Sequence, residues 1–129
     1  MENKSNISLK GKKVLVVDDS MMNRMVASII LKDCGVIVSE ADDGEQAVNF
    51  LKNNTCDLIL MDLQMPLLNG FQATEIIRKE MQINTPIIAL TGNFIKEERE
   101  KCLEIGMNYY KSKPYDRDVF IDMINNYIL

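Results

Sequence analysis

The chain has 129 residues and a formal net charge of −4, with 47% hydrophobic and 26% charged residues, the mix of one ordinary domain able to bury a single core. Its acidity, with a pI of about 4.8, argues against direct binding to a nucleic-acid backbone, and no apolar stretch is long enough to span a bilayer. Histidine is absent, which excludes histidine acid–base catalysis, a Ser-His-Asp triad and histidine metal ligands.

Residues 1–8 are polar with no signal-peptide core, and 1–11 read as a flexible lead-in; 12–129 is expected to form the domain, and the expected location is cytoplasmic, a location compatible with a membrane-anchored parent protein. Val14-Leu15-Val16-Val17 reads as a buried first strand, and the acidic pair Asp18-Asp19 follows it directly. Ser20 suits the N-cap of a helix over 21–34, with Gly35 at its C′ position. A second strand is expected at 36–39, a turn at Asp43-Gly44 and a short helix over 45–52. Leu58-Ile59-Leu60-Met61 reads as a third strand and ends in another acid, Asp62. A loop over 66–70 leads to a helix over 71–81. Pro86 opens a fourth strand over 87–90, and a charged helix over 96–105 stops at Gly106. A fifth strand is expected at 108–111, and Asp116 can cap a last helix reaching Tyr127. Strands alternating with helices predict an α/β domain with a parallel sheet covered on both faces. Cys34, Cys56 and Cys102 form no metal or redox spacing and read as small core residues in a reducing compartment.

The chemistry gathers at the strand ends. In open parallel sheets, ligands bind beyond the C-terminal edge. Asp18-Asp19, Asp62, Thr91 and Lys113 all fall there. Three like charges repel unless a cation joins them, and Mg²⁺ suits an all-carboxylate set. Asp62, at the centre, can then act as a nucleophile toward a phosphoryl group, with the cation, Lys113 and Thr91 placed around the phosphoryl oxygens.

Asp18-Asp19-Ser20, Met61-Asp62-Leu63-Gln64-Met65-Pro66, Gly70, Ala89-Leu90-Thr91-Gly92 and Lys113-Pro114 together resemble the receiver domain of two-component signalling, the phospho-accepting module of response regulators. The resemblance covers nearly the whole chain from Lys12. It implies a flavodoxin-like (βα)5 fold with strand order 2-1-3-4-5. It also implies that Asp62 is the phosphoacceptor and that Asp18, Asp19, Asp62 and the backbone carbonyl of Gln64 surround Mg²⁺, or Mn²⁺ in its place. Asp19 would bind the ion directly and Asp18 largely through water. Lys113 would pair with the acyl phosphate and Thr91 would bind a phosphoryl oxygen. Tyr110 takes the aromatic switch position; it would turn inward as Thr91 moves, changing the surface of the fourth helix, fifth strand and fifth helix. Edge-strand packing is the plainer role for Tyr110. The implied partners are a histidine kinase or histidine phosphotransfer domain, with a phosphorylation-dependent dimer through that same surface. Direct nucleic-acid or membrane contact by the domain is not expected. The resemblance further implies a domain that assists its own phosphoryl transfer and dephosphorylation without being an enzyme in its own right.

Leu9-Lys10-Gly11-Lys12-Lys13, the Asp62–Pro66 motif and Arg99-Glu100-Lys101-Cys102-Leu103-Glu104 with Gly106-Met107 resemble the receivers of hybrid sensor histidine kinases. The chain is then either a single-domain receiver or a piece of such a kinase. On the first helix, Val26, Ala27, Ile30, Leu31 and Cys34 form one apolar face, and Met21, Met22, Met25 and Ile29 widen it. Those four either fill gaps in the core or form a docking stripe for a phosphodonor. Phe94-Ile95 reads either as core packing, the plainer role, or as an exposed apolar pair at the output face. Three rival readings stay open. A haloacid-dehalogenase-like phosphatase spaces its first two aspartates differently, and an FMN carrier has no use for two acids at its phosphate loop. A receiver that no longer accepts phosphate keeps the fold and loses the chemistry.

Overall fold

The structure is a computed structural model and describes residues 9–113 and 116–128. Residues 1–8 of the expected lead-in, and Pro114 of the Lys113-Pro114 motif, lie outside the described residues. The elements run β1 (Lys13–Val17), α1 (Met21–Asp33), β2 (Ile37–Ala41), α2 (Gly44–Asn53), β3 (Leu58–Asp62), α3 (Gly70–Glu75), β4 (Ile87–Thr91), α4 (Lys96–Glu104), β5 (Tyr109–Ser112) and α5 (Arg117–Tyr127). All five strands are parallel, in the order β2-β1-β3-β4-β5.

The continuous apolar runs are explained by a sheet buried on both faces. Alternate side chains of a strand point to opposite sides. Leu15, Val17, Ile59, Met61, Ile87 and Ala89 face one core, with Ala47 and Leu51 of α2, Ala73 of α3 and Cys102 of α4. Val14, Val16, Leu58, Leu60, Ile88 and Leu90 face the other, with Ala27 and Leu31 of α1 and Phe120 and Ile124 of α5. Each fully buried Leu or Ile contributes roughly 1.5–3 kcal/mol. Both faces of every central strand are therefore committed, and the polar residues can project only at the strand ends.

Caps set the helix starts. Ser20 accepts from Asn23 N–H and Asp43 from Gln46 N–H. Asp116 accepts from the N–H groups of Asp118 and Val119. Gly35 ends α1 at φ +82°, the left-handed conformation expected after the helix.

Several expectations need correction. Leu9, within the expected lead-in, is fully buried, and Gly11 N–H donates to Gly35 O, so this turn closes over the end of α1. β2 ends two residues later than expected because Glu40 and Ala41 continue the ladder opposite Val16 and Val17; the charged Glu40 hides that from an apolar-run reading. α3 begins at Gly70, inside the expected loop, because Asn69 and Gln72 form a reciprocal capping box. Residues Ile76–Glu80 then widen into a π-helical turn. Arg78 anchors it, donating to the Gly106 and Ile83 carbonyls and to Asn108 Oδ1. Val26 is exposed rather than part of the buried face of α1, and Phe94 and Ile95 are exposed rather than in the core.

Candidate functional site

The register brings the strand ends to one edge. Val17 of β1 pairs with Met61 of β3, Asp62 with Leu90 of β4, and Thr91 with Ser112 of β5. Asp18-Asp19 and Lys113 therefore emerge just beyond strands on either side of Asp62. Strand order reverses between β1 and β3, the point where a crevice opens in such sheets.

Carboxylate oxygens of Asp18, Asp19 and Asp62 lie within 4.8 Å of one another. Asp18 and Asp62 are buried and Asp19 is exposed. Lys113 Nζ stands 2.8 Å from Asp18 Oδ2 and 3.7 Å from Asp62 Oδ1. Asp18 Oδ1 accepts from Ser20 N–H at 2.9 Å. Asp62 Oδ1 accepts from the backbone N–H of Gln64 at 3.3 Å, which places the Gln64 peptide beside the acid cluster.

One ammonium does not balance three carboxylates. Burial, and then the charge of Asp18, push the Asp62 carboxyl up to about 7, against the opposing pull of Lys113. That frustration fits a hard dication. The donors are all oxygen, their spacing is short, and among the described residues no thiolate or imidazole joins the cluster.

The loop that follows Asp62 is sterically fixed. A Cβ on Gly70 would overlap the Asp62 carbonyl oxygen, and one on Gly44 would overlap the Leu68 carbonyl, which accepts from Gly44 N–H. Glycine is needed at both positions for close backbone approach rather than for an unusual dihedral.

Thr91 is buried at the end of β4, and its Oγ1 donates to Asn93 O at 3.0 Å. Tyr110 is already inside, only 3% exposed. Its hydroxyl donates to Glu98 Oε1 at 2.6 Å and accepts from Ile95 N–H at 2.9 Å. Phe94 packs edge-on against its ring at 5.1 Å. Burial and the Glu98 carboxylate raise the Tyr110 hydroxyl above its ordinary pKa. Glu98 went unrecognised in the sequence, where it is one acid in a charged helix.

On α1, Met21, Met22, Met25 and Ile29 are all exposed, between 52% and 73%. That removes the gap-filling explanation and leaves an apolar stripe facing solvent. A groove of about 350 Å³ runs beside it, lined by Met21, Arg24, Met25, Ser28, Ile29, Lys32 and Glu40. Cys34 and Cys102 are buried as expected, and Cys56 is half-buried. Among the described residues, no helix is long and apolar enough to cross a membrane.

Comparison with known proteins places this geometry in context. A family model described as the response regulator receiver domain matches residues 14–125. Hybrid signal transduction histidine kinase B of Dictyostelium discoideum is 40% identical over 94% of this chain, and sensor histidine kinase RcsC of Escherichia coli is 37% identical over 88%. The chain spans only 7% and 12% of those proteins' lengths. Among solved structures, the receiver domain of Pseudomonas aeruginosa sensor histidine kinase PA1611 was determined with a magnesium ion coordinated in its active site cleft. It is 37% identical, covering 91% of this chain and 97% of its own, with a TM-score of 0.81. Chemotaxis protein CheY4 of Vibrio cholerae superposes at a TM-score of 0.86 with 29% identity, covering 92% of this chain and 99% of its own.

Proposed function

The chain belongs to the response regulator receiver domain family, and from that premise we propose that it takes a phosphoryl group from a phosphohistidine donor onto Asp62 in a phosphorelay. The observation that carries this reading is the convergence of three carboxylates within 4.8 Å beside the Lys113 ammonium.

Asp19, Asp62 and the Gln64 carbonyl would hold Mg²⁺, or Mn²⁺ in its place, with Asp18 behind them. When bound, the ion neutralises charge on the acids and on the transferring phosphoryl group. An Asp62 carboxylate oxygen attacks phosphorus as the phosphorus–nitrogen bond of the donor breaks. The donor imidazole, protonated on its other ring nitrogen, leaves with the bonding pair as neutral histidine, and Asp62 becomes an acyl phosphate. Lys113, released from part of its hold on Asp18, pairs with the new phosphoryl oxygens. Thr91 exchanges its bond to Asn93 O for one to the phosphoryl group.

That exchange frees the Asn93 carbonyl beside the Tyr110 hydroxyl, 3.2 Å away, and so couples the modification to the α4–β5–α5 surface. Phosphorylation-dependent pairing of two copies through that surface follows from the same change. The domain, with the turn of residues 9–11 packed onto it, does this work in the cytoplasm. The donor is a histidine kinase or a histidine phosphotransfer domain seated on the α1 stripe. If the chain is part of a longer protein, that protein is a hybrid histidine kinase.

Incubation with acetyl phosphate tests the reading. Wild type should form a Mg²⁺-dependent acyl phosphate seen by intact mass, and Asp62→Asn should form none. An unlabelled wild type, or an equally labelled variant, defeats the assignment.

A further inference from the structure

Arg24 is absent from the chemistry above, yet it touches the acid corner through the main chain. It sits one turn into α1, its N–H donating to Ser20 O. Its Nη1 donates to the Asp18 backbone carbonyl at 2.7 Å, a short charge-assisted bond. Its Nε donates to Glu40 Oε1 at 3.1 Å, and Glu40 Oε2 accepts from Ser28 Oγ at 3.3 Å. The Arg24 side chain is only 15% exposed, so this guanidinium is held in place rather than waving in solvent.

The position of the bond matters more than its strength. The β1–β2 register ends at Val17 opposite Ala41. Asp18 N–H is still held by Ala41 O at 3.1 Å, while its carbonyl lies past the ladder. A peptide group is planar, so fixing the Asp18 carbonyl also fixes the nitrogen and Cα of Asp19. Asp19 is the exposed member of the acid cluster. The Asp18 carboxylate is placed by Ser20 N–H and Lys113; the Asp19 side chain starts from wherever this peptide puts it.

Charge explains why Glu40 completes the arrangement. An unbalanced guanidinium this close to the acids would oppose a dication. Paired with Glu40, Arg24 can hold the backbone with little net charge. The Glu40 carboxylate also fixes the guanidinium plane, which leaves Nη1 aimed at the carbonyl.

We propose that Arg24 is a positioning residue for the acid pair: oriented and charge-balanced by Glu40 and Ser28, it locks the Asp18–Asp19 peptide at the spacing that a divalent cation requires. The inference rests on the metal reading of the corner given above. A mere helix-to-strand tie would support stability and leave metal affinity untouched.

Calorimetric titration of Mg²⁺ into the full chain separates these roles, alongside urea unfolding without metal. Arg24→Met should bind Mg²⁺ about tenfold more weakly, the lower end of what loss of a supporting partner costs a metal site. Arg24→Lys, which keeps the charge but not the fork, should recover part of that loss. Glu40→Ala should weaken binding by about threefold. Folded Arg24→Met that binds Mg²⁺ within twofold of wild type overturns the proposal, whatever its urea midpoint. If Arg24→Met does not fold, Glu40→Ala decides, and unchanged affinity there overturns it. A wild type that binds no Mg²⁺ overturns the proposed function itself, and this inference with it.

Discussion

Two regions meet at Asp62: one is the cluster of Asp18, Asp19 and Lys113, the other is Thr91, Tyr110 and the loop at 92–95. Asp18 is held through its N–H, its carbonyl and both carboxylate oxygens. The chain beyond Asp62 is clamped by Gly70, where no Cβ fits. The second region is built differently. Gly92 has open space around it, Phe94 and Ile95 face solvent, and Tyr110 is kept inside by hydrogen bonds to an exposed loop and to one helix carboxylate. The first region is over-determined, as a site that must meet a metal and a phosphoryl group requires. The second is held by a few exchangeable contacts, as an element with two arrangements requires.

The glycines give the sharpest test of that contrast. Gly70→Ala should cost about 2–3 kcal/mol by urea unfolding, the scale of overpacking against backbone, and should depress acyl-phosphate formation. Gly92→Ala should stay within about 0.5 kcal/mol, as for an open surface position. Equal costs would erase the distinction.

Next in size is the pH dependence of the metal-free protein. The folded Asp62 carboxyl sits at about 7 rather than the ordinary 3.8. Between those values the native state holds a proton that the unfolded chain has released. Stability should therefore fall as pH rises from about 4 and level off above about 7; the full shift corresponds to about 4 kcal/mol, which solvent screening at this open edge reduces to on the order of 2 kcal/mol. Asp62→Asn should flatten the profile and be the more stable protein at pH 8, and Mg²⁺ should restore the wild type there. Urea midpoints at pH 5 and 8, with and without Mg²⁺, read this out.

The α1 stripe should matter only to a protein donor. Met22→Gln with Ile29→Asn should slow transfer from a phosphohistidine domain about tenfold, or ~1.4 kcal/mol, and leave acetyl phosphate labelling unchanged. Equal effects on both donors, or none on either, would remove the docking role.

The smallest effect is expected in the second region, around Tyr110. Glu98→Gln should leave labelling within about twofold and cost about 1 kcal/mol or less, the worth of one hydrogen bond. It should also lower the Tyr110 pKa, measured by ultraviolet titration. An unmoved Tyr110 would mean that Glu98 does not hold it.

Much of this was legible in the chain. Runs such as Leu58-Ile59-Leu60-Met61 announce strands buried on both faces, and an acid directly after such a run must lie at the sheet edge. Caps at Ser20, Asp43 and Asp116 are local chemistry and can be read directly. The misses share a cause. The extent of β2 depends on pairing with β1, the π-turn accompanies an arginine that reaches residues 28 and 30 positions away, and Leu9 is covered by elements far along the chain. Exposure of Val26 could not be read either, and Phe94-Ile95 fitted core and surface alike, because an apolar residue looks the same whether or not a neighbour covers it.

By itself, the sequence determined the strand count, the acids at the strand ends and the family, because each rests on short-range pattern and on residue types that chemistry restricts. Only the tertiary structure decided that Tyr110 lies inside against Glu98, that the methionine stripe is bare, and that Arg24, held by Glu40, donates to the Asp18 carbonyl. Those facts depend on distances between residues far apart in the chain, which packing sets and spacing along the sequence does not.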